Sequence, residues 1–200
     1  MTTLDLDTPE GLARAHLSPR PDPRGALVLG HGAGGSVTAP DLQLARQIAN
    51  ERGLSVALVE QPYRVAGRRS AAPAPKLDRA WTSVLEQLPF GDVPVITGGR
   101  SSGARVACRT ATATGAAGVL CLAFPLLSPP RRDGTVISRL PELEAVTVPV
   151  LVVQGVSDRF GMPDPAPNRE VVQVEGDHGL KKDKAAIAEA IRRWLAQLVD

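Results

Sequence analysis

The 200-residue sequence has few aromatic residues, few cysteines and little excess charge. Aromatic residues make up 3% of the chain, there are two cysteines, and the formal net charge is +2. A charge this small argues against a broad basic surface for nucleic acid, so we expect no nucleic-acid partner. Cys108 and Cys121 lie in apolar stretches and do not resemble a disulfide framework, which favours a reducing, cytoplasmic location.

Signals for export or membrane insertion are also missing. Residues 1–10 are acidic and lack the basic and apolar regions of a secretory signal. The uncharged stretch Thr110–Pro130 is interrupted by glycines and prolines, which argues against a spanning helix. We therefore expect no membrane partner. The length and a hydrophobic fraction of 43% predict one globular domain over residues 1–200, whose oligomeric state the sequence does not indicate.

Short apolar runs alternate with amphipathic segments along the chain. The runs are typical of strands buried on both faces, and they cover residues 26–29, 54–59, 93–97, 119–124, 150–153 and 171–174. Helical spacing of apolar residues predicts helices over residues 41–52, 77–88 and 187–198. This alternation predicts an α/β fold with a mainly parallel sheet and helices on both faces. Residues 12–18 alternate in the manner of an antiparallel strand, which we place at the N-terminal edge of the sheet.

The loops that follow the apolar runs carry the chemically interesting residues. Gly99-Arg100-Ser101-Ser102-Gly103 follows the third run and has the G-x-S-x-G pattern of a nucleophile elbow, a sharp turn between a strand and a helix. Asp158 follows the fifth run, and His178 follows the sixth. Ligands bind beyond the carboxyl ends of parallel strands, so these three side chains are expected to converge.

A serine, an aspartate and a histidine in this order predict nucleophilic catalysis. A serine hydroxyl is a poor nucleophile at neutral pH, so His178 is predicted to accept its proton and Asp158 to orient the imidazole. His178 is chosen partly by elimination, because His16 lies in the predicted edge strand and His31 in a glycine-rich loop. Three other carboxylates remain candidates for the acidic role: Asp133, Asp164 and Asp177.

The glycine-rich loop after the first apolar run is predicted to contribute to an oxyanion hole. The backbone N–H groups of Ser102 and Ala33 are the expected donors to the developing oxyanion. Other residues of the loop are expected to support the conformation that presents the Ala33 N–H, and His31 is expected to do so by hydrogen bonds. These supporting residues are His31, Gly32, Gly34 and Gly35.

The same loop permits a dinucleotide-binding interpretation. Gly30, Gly32 and Gly35 satisfy G-x-G-x-x-G after a strand, and Glu60 ends the next run, where a ribose-binding acid is expected. The next helix, however, is predicted to begin only near Pro40, too late to meet a pyrophosphate. A dinucleotide-dependent oxidoreductase also leaves the ordered Ser101, Asp158 and His178 unexplained.

Four stretches together resemble the α/β-hydrolases. They are His31-Gly32-Ala33-Gly34-Gly35, Gly98-Gly99-Arg100-Ser101-Ser102-Gly103-Ala104-Arg105, Ala123-Phe124-Pro125-Leu126 and Glu175-Gly176-Asp177-His178-Gly179-Leu180-Lys181. Within that superfamily the chain resembles the small hydrolases that include the testis-expressed hydrolase-like proteins and a hydrolase-like subunit of a histone acetyltransferase complex. It is also similar to dienelactone-hydrolase-like enzymes, although those namesakes carry cysteine where this chain has Ser101. The residue style is similar to that of bacterial members.

The resemblance implies the α/β-hydrolase fold and a serine hydrolase that acts on a small ester or thioester through an acyl-enzyme. It implies no metal or organic cofactor. Because some relatives look like scaffolds, a non-catalytic binding protein that retains the fold is the main alternative. The stretch from Pro125 to Pro149, where larger relatives insert a cap, is short, so we expect an open site for small substrates.

Arginines are frequent in the loops around the predicted site. Arg64 and Arg100 are the leading candidates to bind an anionic group of the substrate, since guanidinium forks match carboxylate and phosphate. The alternative is that these arginines are ordinary loop charges and that Arg100 braces its loop. The other arginines in these loops are Arg68, Arg69, Arg131, Arg132 and Arg159.

Overall fold

The computed structural model describes residues 2–199, which form one eight-stranded sheet and six helices. The strands are β1 (Thr2–Thr8), β2 (Gly11–Ser18), β3 (Ala26–Gly30), β4 (Ser55–Glu60), β5 (Val95–Arg100), β6 (Gly118–Leu122), β7 (Val150–Gly155) and β8 (Arg169–Val174). The helices are α1 (Pro40–Glu51), α2 (Pro62–Val65), α3 (Ala74–Gln87), α4 (Ser102–Thr110), α5 (Leu140–Glu144) and α6 (Lys184–Val199).

The strand order in the sheet is β1-β2-β4-β3-β5-β6-β7-β8. The six strands from β3 onwards pair in parallel, whereas β1 and β2 pair antiparallel. The predicted mainly parallel sheet with an antiparallel N-terminal edge is therefore confirmed. The placement of residues 12–18 at the outermost position is wrong, because β1 pairs with β2 along its whole length and occupies the edge.

Helices cover both faces of the sheet, as the strand composition predicts. One apolar cluster joins α1 and α6 to the sheet, and two clusters on the other side involve α3 and α4. In α3 the buried positions are Leu77, Ala80, Trp81 and Val84, which recur at helical spacing. The strands at the centre of the sheet are buried on both faces, so their near-continuous apolar runs lie in a three-layer core.

Each predicted run and each predicted helix is present, with bounds that differ by a few residues. Helices α2 and α5 are too short to produce a periodic pattern and were not predicted. No helix within residues 2–199 is long and apolar enough to cross a membrane. Cys108 and Cys121 are buried free thiols with their sulfur atoms 3.5 Å apart.

Candidate active site

Ser101 lies on a sharp turn between β5 and α4. Its backbone has φ +52° and ψ −107°, an unusual conformation for a residue with a side chain. The turn also brings two chain segments into close contact. A Cβ on Gly99 or on Gly103 would lie 2.4 Å or 2.3 Å from the carbonyl oxygen of Gly30. Only glycine fits at these two positions of the G-x-S-x-G pattern, because β3 passes directly beneath the turn.

The structure brings Ser101, His178 and Asp158 into one hydrogen-bonded chain. The Oγ atom of Ser101 lies 3.0 Å from Nε2 of His178, and Nδ1 of His178 lies 2.8 Å from Oδ2 of Asp158. A carboxylate only accepts hydrogen bonds, so Nδ1 carries the imidazole proton and Nε2 is free to accept from the serine hydroxyl. The Asp158 side chain is 0% exposed and that of His178 is 21% exposed. This arrangement can move the Ser101 proton onto an oriented imidazole.

The three competing carboxylates occupy other environments. Asp164 lies in the segment before β8, where its backbone carbonyl accepts a hydrogen bond from Nε of Arg169 at 2.8 Å. Asp177 accepts a hydrogen bond from the N–H of Gly179 and Asp133 accepts one from the N–H of Thr135, so both side chains close their own turns. Asp158 is the carboxylate that contacts His178.

Gln154, at the end of β7, holds the Asp158 carboxylate in place and was not singled out from the sequence. Its Nε2 atom lies 2.9 Å from Oδ2 of Asp158 and 3.0 Å from the carbonyl oxygen of Phe124. The other oxygen of Asp158 accepts from the N–H of Phe160 at 2.9 Å. Both carboxylate oxygens are thus fixed by donors, which leaves the group aligned with the imidazole.

Phe160 also packs against the imidazole itself. The two ring centroids are 4.7 Å apart, with the planes at 72°. The guanidinium of Arg159 lies over the Phe160 ring, 4.8 Å from its centroid. An edge-to-face contact of this kind restricts rotation of the His178 side chain.

The glycine-rich loop after β3 fixes the peptide plane between Gly32 and Ala33. The carbonyl oxygen of Gly32 accepts hydrogen bonds from Nδ1 of His31 at 2.8 Å and from the N–H of Gly35 at 3.0 Å. Because a peptide is planar and trans, fixing that oxygen also fixes the direction of the Ala33 N–H. The N–H of Ser102 lies in the first turn of α4, where a helix offers no intrahelical partner. Ala33, Ser101 and Ser102 line the same pocket.

His31 is a buried, neutral imidazole that braces this loop. It is 2% exposed, and its Nε2 accepts from the N–H of Gln61 at 3.1 Å while Nδ1 donates to Gly32. Burial lowers the pKa of His31, and the nearby charge of Arg64 acts in the same direction. Tyr63 adds a second brace, since its hydroxyl donates to the carbonyl oxygen of Ala33 at 2.8 Å.

The three loop glycines differ in how much space they need. A Cβ on Gly32 would lie 3.3 Å from Nη1 of Arg100, a tight contact, and one on Gly35 would meet its nearest atom at 3.6 Å. A Cβ on Gly34 would meet nothing within 4 Å. Among these three glycines, Gly32 is therefore the one whose added Cβ would be crowded against the turn that carries Ser101.

The sequence of residues 23–196 matches the family described as an alpha/beta hydrolase domain. This chain belongs to the α/β hydrolase family. No curated protein sequence matches it significantly. This family membership argues against the dinucleotide-binding interpretation. So does the structure, because α1 begins only at Pro40 and Glu60 pairs with His16 at 2.9 Å.

Solved structures of other hydrolases share this fold. A Xanthomonas campestris protein described as an α/β serine hydrolase without a lid is 20% identical, with a TM-score of 0.74 over 96% of this chain and 94% of that one. Est1E from Butyrivibrio proteoclasticus is 15% identical, with a TM-score of 0.78 over 100% and 99% of the two chains. A dienelactone hydrolase from Anabaena variabilis is 15% identical, with a TM-score of 0.74 over 100% and 98%.

In this hydrolase Arg100 connects three parts of the site. Its Nη2 donates to the carbonyl oxygen of His178 at 2.8 Å, and its Nε lies 2.8 Å from Oδ2 of Asp41 in an ion pair without hydrogen-bond alignment. Burial raises the pKa of Asp41, and the positive charge of Arg100 opposes that shift. The guanidinium is thus engaged by protein groups on both sides, which favours the bracing interpretation over contact with a substrate anion.

Arg64, the other arginine predicted to bind an anion, does not line the pocket that contains Ser101. It lies in α2 and donates from Nη1 to the carbonyl oxygen of Arg68 at 3.3 Å. Arg64 affects the site through its positive charge, which helps to lower the pKa of the buried His31.

The pocket beside Ser101 has a volume of about 280 Å³. Phe160, Leu77 and Pro125 provide apolar walls, and Arg105, Arg109 and Arg139 provide charge. None of these three arginines was selected from the sequence. Arg105 and Arg109 lie in α4, where their positions in the sequence are those of an ordinary basic helix face. Arg139 lies in the segment between β6 and α5.

Proposed function

We propose that this α/β hydrolase is a carboxylesterase-like serine hydrolase that cleaves a small ester or thioester through an acyl-enzyme. The observation that carries the proposal is the unbroken hydrogen-bonded chain from Ser101 through His178 to Asp158, with Ser101 held on a strained turn. These are the contacts that an activated serine nucleophile requires.

Acylation begins with attack of the Ser101 hydroxyl on the substrate carbonyl carbon. The hydroxyl proton passes to Nε2 of His178 as the C–O bond forms, and Asp158 stabilises the resulting imidazolium. The negative charge that develops on the carbonyl oxygen is stabilised by the N–H groups of Ala33 and Ser102. The tetrahedral intermediate then collapses, and the leaving alcohol or thiol departs with the proton from His178.

Deacylation repeats these steps with water in place of the serine. His178 accepts a proton from the attacking water, the same two N–H groups receive the oxyanion, and Ser101 leaves with its proton restored. The products are a carboxylic acid and the regenerated enzyme. Each step uses side chains and backbone groups of this chain and requires no metal or organic cofactor.

A short substrate fits the site better than a long one. A pocket of about 280 Å³ lies just below the range for small-molecule sites, which is about 300–1,000 Å³. We expect kcat/KM for a butanoate ester to exceed that for a dodecanoate ester at least tenfold. The proposal treats residues 1–200 as one catalytic domain, and the buried free thiols of Cys108 and Cys121 suit a cytoplasmic location.

Labelling with a fluorophosphonate probe tests the proposal directly, because the probe reacts with activated serine hydroxyls. Wild-type protein is expected to be labelled, and Ser101→Ala is expected to abolish labelling. His178→Ala is expected to slow it at least 100-fold, since it removes the base. Ser157→Ala is a matched control, because the Ser157 hydroxyl donates to the carbonyl oxygen of Gly176 and takes no part in the chain of contacts.

A folded wild-type protein that resists labelling would contradict the proposal. It would favour the alternative of a binding or scaffold protein that retains the fold. Labelling that persists in Ser101→Ala would place the reactive residue elsewhere in the chain and would also reject the assignment.

A further inference from the structure

Two of the three arginines in the Ser101 pocket already hold a carboxylate of the protein. Arg105 donates from Nε and Nη2 to the two oxygens of Glu142, at 2.8 and 2.6 Å. Arg109 donates from Nε and Nη2 to the two oxygens of Asp78, also at 2.8 and 2.6 Å. In both residues the Nε–Nη2 edge of the guanidinium is therefore filled by a bidentate carboxylate.

In Arg139 no acceptor from residues 2–199 occupies the same edge. Its Nη1 donates to the carbonyl oxygens of Pro125 and Leu127, at 3.1 and 3.4 Å, which fixes the direction of the side chain. Within residues 2–199 no carboxylate forms an ion pair with Arg139, and no acceptor contacts its Nε or Nη2. The guanidinium is thus oriented by the backbone while the edge suited to a carboxylate remains available.

The charges around this part of the pocket do not balance. Of the three guanidinium groups that line the Ser101 pocket, those of Arg105 and Arg109 pair with the carboxylates of Glu142 and Asp78, and within residues 2–199 no further carboxylate pairs with Arg139. Burial lowers the pKa of Arg139, and repulsion from Arg105 adds to that shift. Arginine nevertheless stays protonated, so the excess of one positive charge persists.

Arg139 also lies in the same pocket as Ser101, at the junction with a second cavity. It lines the pocket of about 280 Å³ that contains Ser101 and the adjoining cavity of about 440 Å³ under residues 128–142. Arg105 and Pro129 are the other residues that line both. Ser101 and Arg139 thus line one pocket, and a short acyl chain carried by Ser101 can point toward Arg139 at the junction of the two cavities.

We propose that the Nε–Nη2 edge of Arg139 binds a carboxylate at the far end of the substrate's acyl chain, so that the preferred substrates are monoesters or thioesters of short dicarboxylic acids. This specificity rests on the proposed serine hydrolase activity. A carboxylate matches the site better than a phosphate, because a single negative charge balances the excess, whereas a dianion adds repulsion from Glu142.

Matched esters and a matched control variant test this specificity. The mono-p-nitrophenyl ester of glutaric acid and p-nitrophenyl pentanoate have acyl chains of equal length and differ in the terminal carboxylate. For Arg139→Gln we expect KM for the acidic ester to rise about 10- to 100-fold and KM for the neutral ester to change less than twofold. Arg139→Lys keeps the charge but loses the fork, so an intermediate KM is expected.

Arg132→Gln is the control, because it removes the same charge from an exposed arginine in the same segment. It is expected to leave the ratio of kcat/KM for the two esters within twofold of wild type. A purely structural role of Arg139 in holding the 125–127 backbone would lower activity on both esters equally. Equal losses on both esters, or a wild type that prefers the neutral ester, would overturn the proposal.

Equilibrium binding separates this specificity from the catalytic proposal. Calorimetry on Ser101→Ala protein is expected to show binding of glutaramate, the glutaric acid monoamide with one carboxylate, that weakens at least tenfold when Arg139→Gln is added. If wild type resists the fluorophosphonate probe but this binding is observed, the hydrolase proposal fails and the carboxylate site stands. No glutaramate binding, or tighter binding of inorganic phosphate than of glutaramate, would overturn the carboxylate assignment.

Discussion

Single polar atoms determine how well the imidazole of His178 is aligned. Oδ2 of Asp158 receives two hydrogen bonds, one from Nδ1 of His178 and one from Nε2 of Gln154. The amide of Gln154 is neutral, so it stabilises the carboxylate without competing for the imidazole proton. Gln154 is therefore a positioning residue that acts on Ser101 through two others.

Replacing Gln154 by methionine tests this role. Methionine has a similar length but no donor, so Asp158 keeps its charge and loses one of its fixed contacts. A hydrogen bond to a charged group is worth about 1.5–3 kcal/mol, and we expect kcat on a small ester to fall about 10- to 100-fold with little change in KM. Steady-state kinetics on p-nitrophenyl butanoate measure both values.

The same substitution also removes hydrogen bonds to the carbonyl oxygens of Phe124 and Gly161, so stability must be measured alongside. Gln154→Glu is a second test, because it places another buried carboxylate next to Asp158. Repulsion between the two carboxylates is expected to change both the value of kcat and its dependence on pH. A Gln154→Met protein that loses stability but keeps wild-type kcat would refute the positioning role.

The sequence supports Ser101, Asp158 and His178 because each follows a strand and because their order is informative. It offers no such signal for Gln154 or Arg139. Gln154 follows an apolar run and Arg139 lies between β6 and α5, and their roles depend on partners 4 to 30 residues away in the chain that only the fold brings near. Arg100 shows the same limitation, since its pairing with Asp41 joins the end of β5 to the first turn of α1.

At the scale of elements, the site depends on how closely α4 and β5 approach β3. The backbone of Gly103, in the first turn of α4, leaves no room for a Cβ above the carbonyl oxygen of Gly30. This contact sets the height of α4 above the sheet, and with it the positions of the Ser101 hydroxyl and the Ser102 N–H.

Gly103→Ala is expected to lower the free energy of unfolding by about 2–3 kcal/mol, the usual cost of forcing atoms into a packed region. A loss of stability is informative here, because alanine in a helix is otherwise about 1 kcal/mol more favourable than glycine. Gly34→Ala is the matched control, since its Cβ meets nothing within 4 Å, and we expect a change within about 0.5 kcal/mol. Urea unfolding measures both, and equal effects of the two substitutions would disprove the packing argument.

The element pattern was predictable wherever the chain alternates between long apolar runs and helical spacing. Strand β1 has a weaker signal, because Leu4 and Leu6 alternate with Asp5 and Asp7 in a short segment where acidic charge dominates the composition. The structure explains the charge, since Asp5 accepts two hydrogen bonds from Arg14 across the β1–β2 pair. Cross-strand partners of this kind give the register of an edge that local composition leaves open.

For the whole molecule, the buried polar groups beneath the site couple stability to pH. His31 is neutral in the folded protein and bonded at both nitrogens, to Gly32 and to the N–H of Gln61. A protonated imidazole places an N–H on Nε2 against the Gln61 N–H, which loses one bond and leaves a buried charge. Burial lowers the pKa of His31 below its ordinary value of 6.5, so the unfolded chain takes up this proton first as the pH falls.

The sign of the resulting pH dependence follows directly. Above pH 6.5 His31 is neutral in both states and contributes its full stabilisation, and below pH 6.5 the unfolded state binds more protons, so stability falls until the folded imidazole also titrates. The limit for one proton is about 1.4 kcal/mol per pH unit.

His31→Gln should be less stable than wild type at pH 8 but should lose less stability between pH 7 and pH 5.5. Asp41, whose pKa burial raises, has the opposite sign, but it is present in both proteins and cancels in the difference. Urea unfolding at a series of pH values measures the difference, and parallel curves for the two proteins would show that the buried imidazole does not control the acid side of the stability profile.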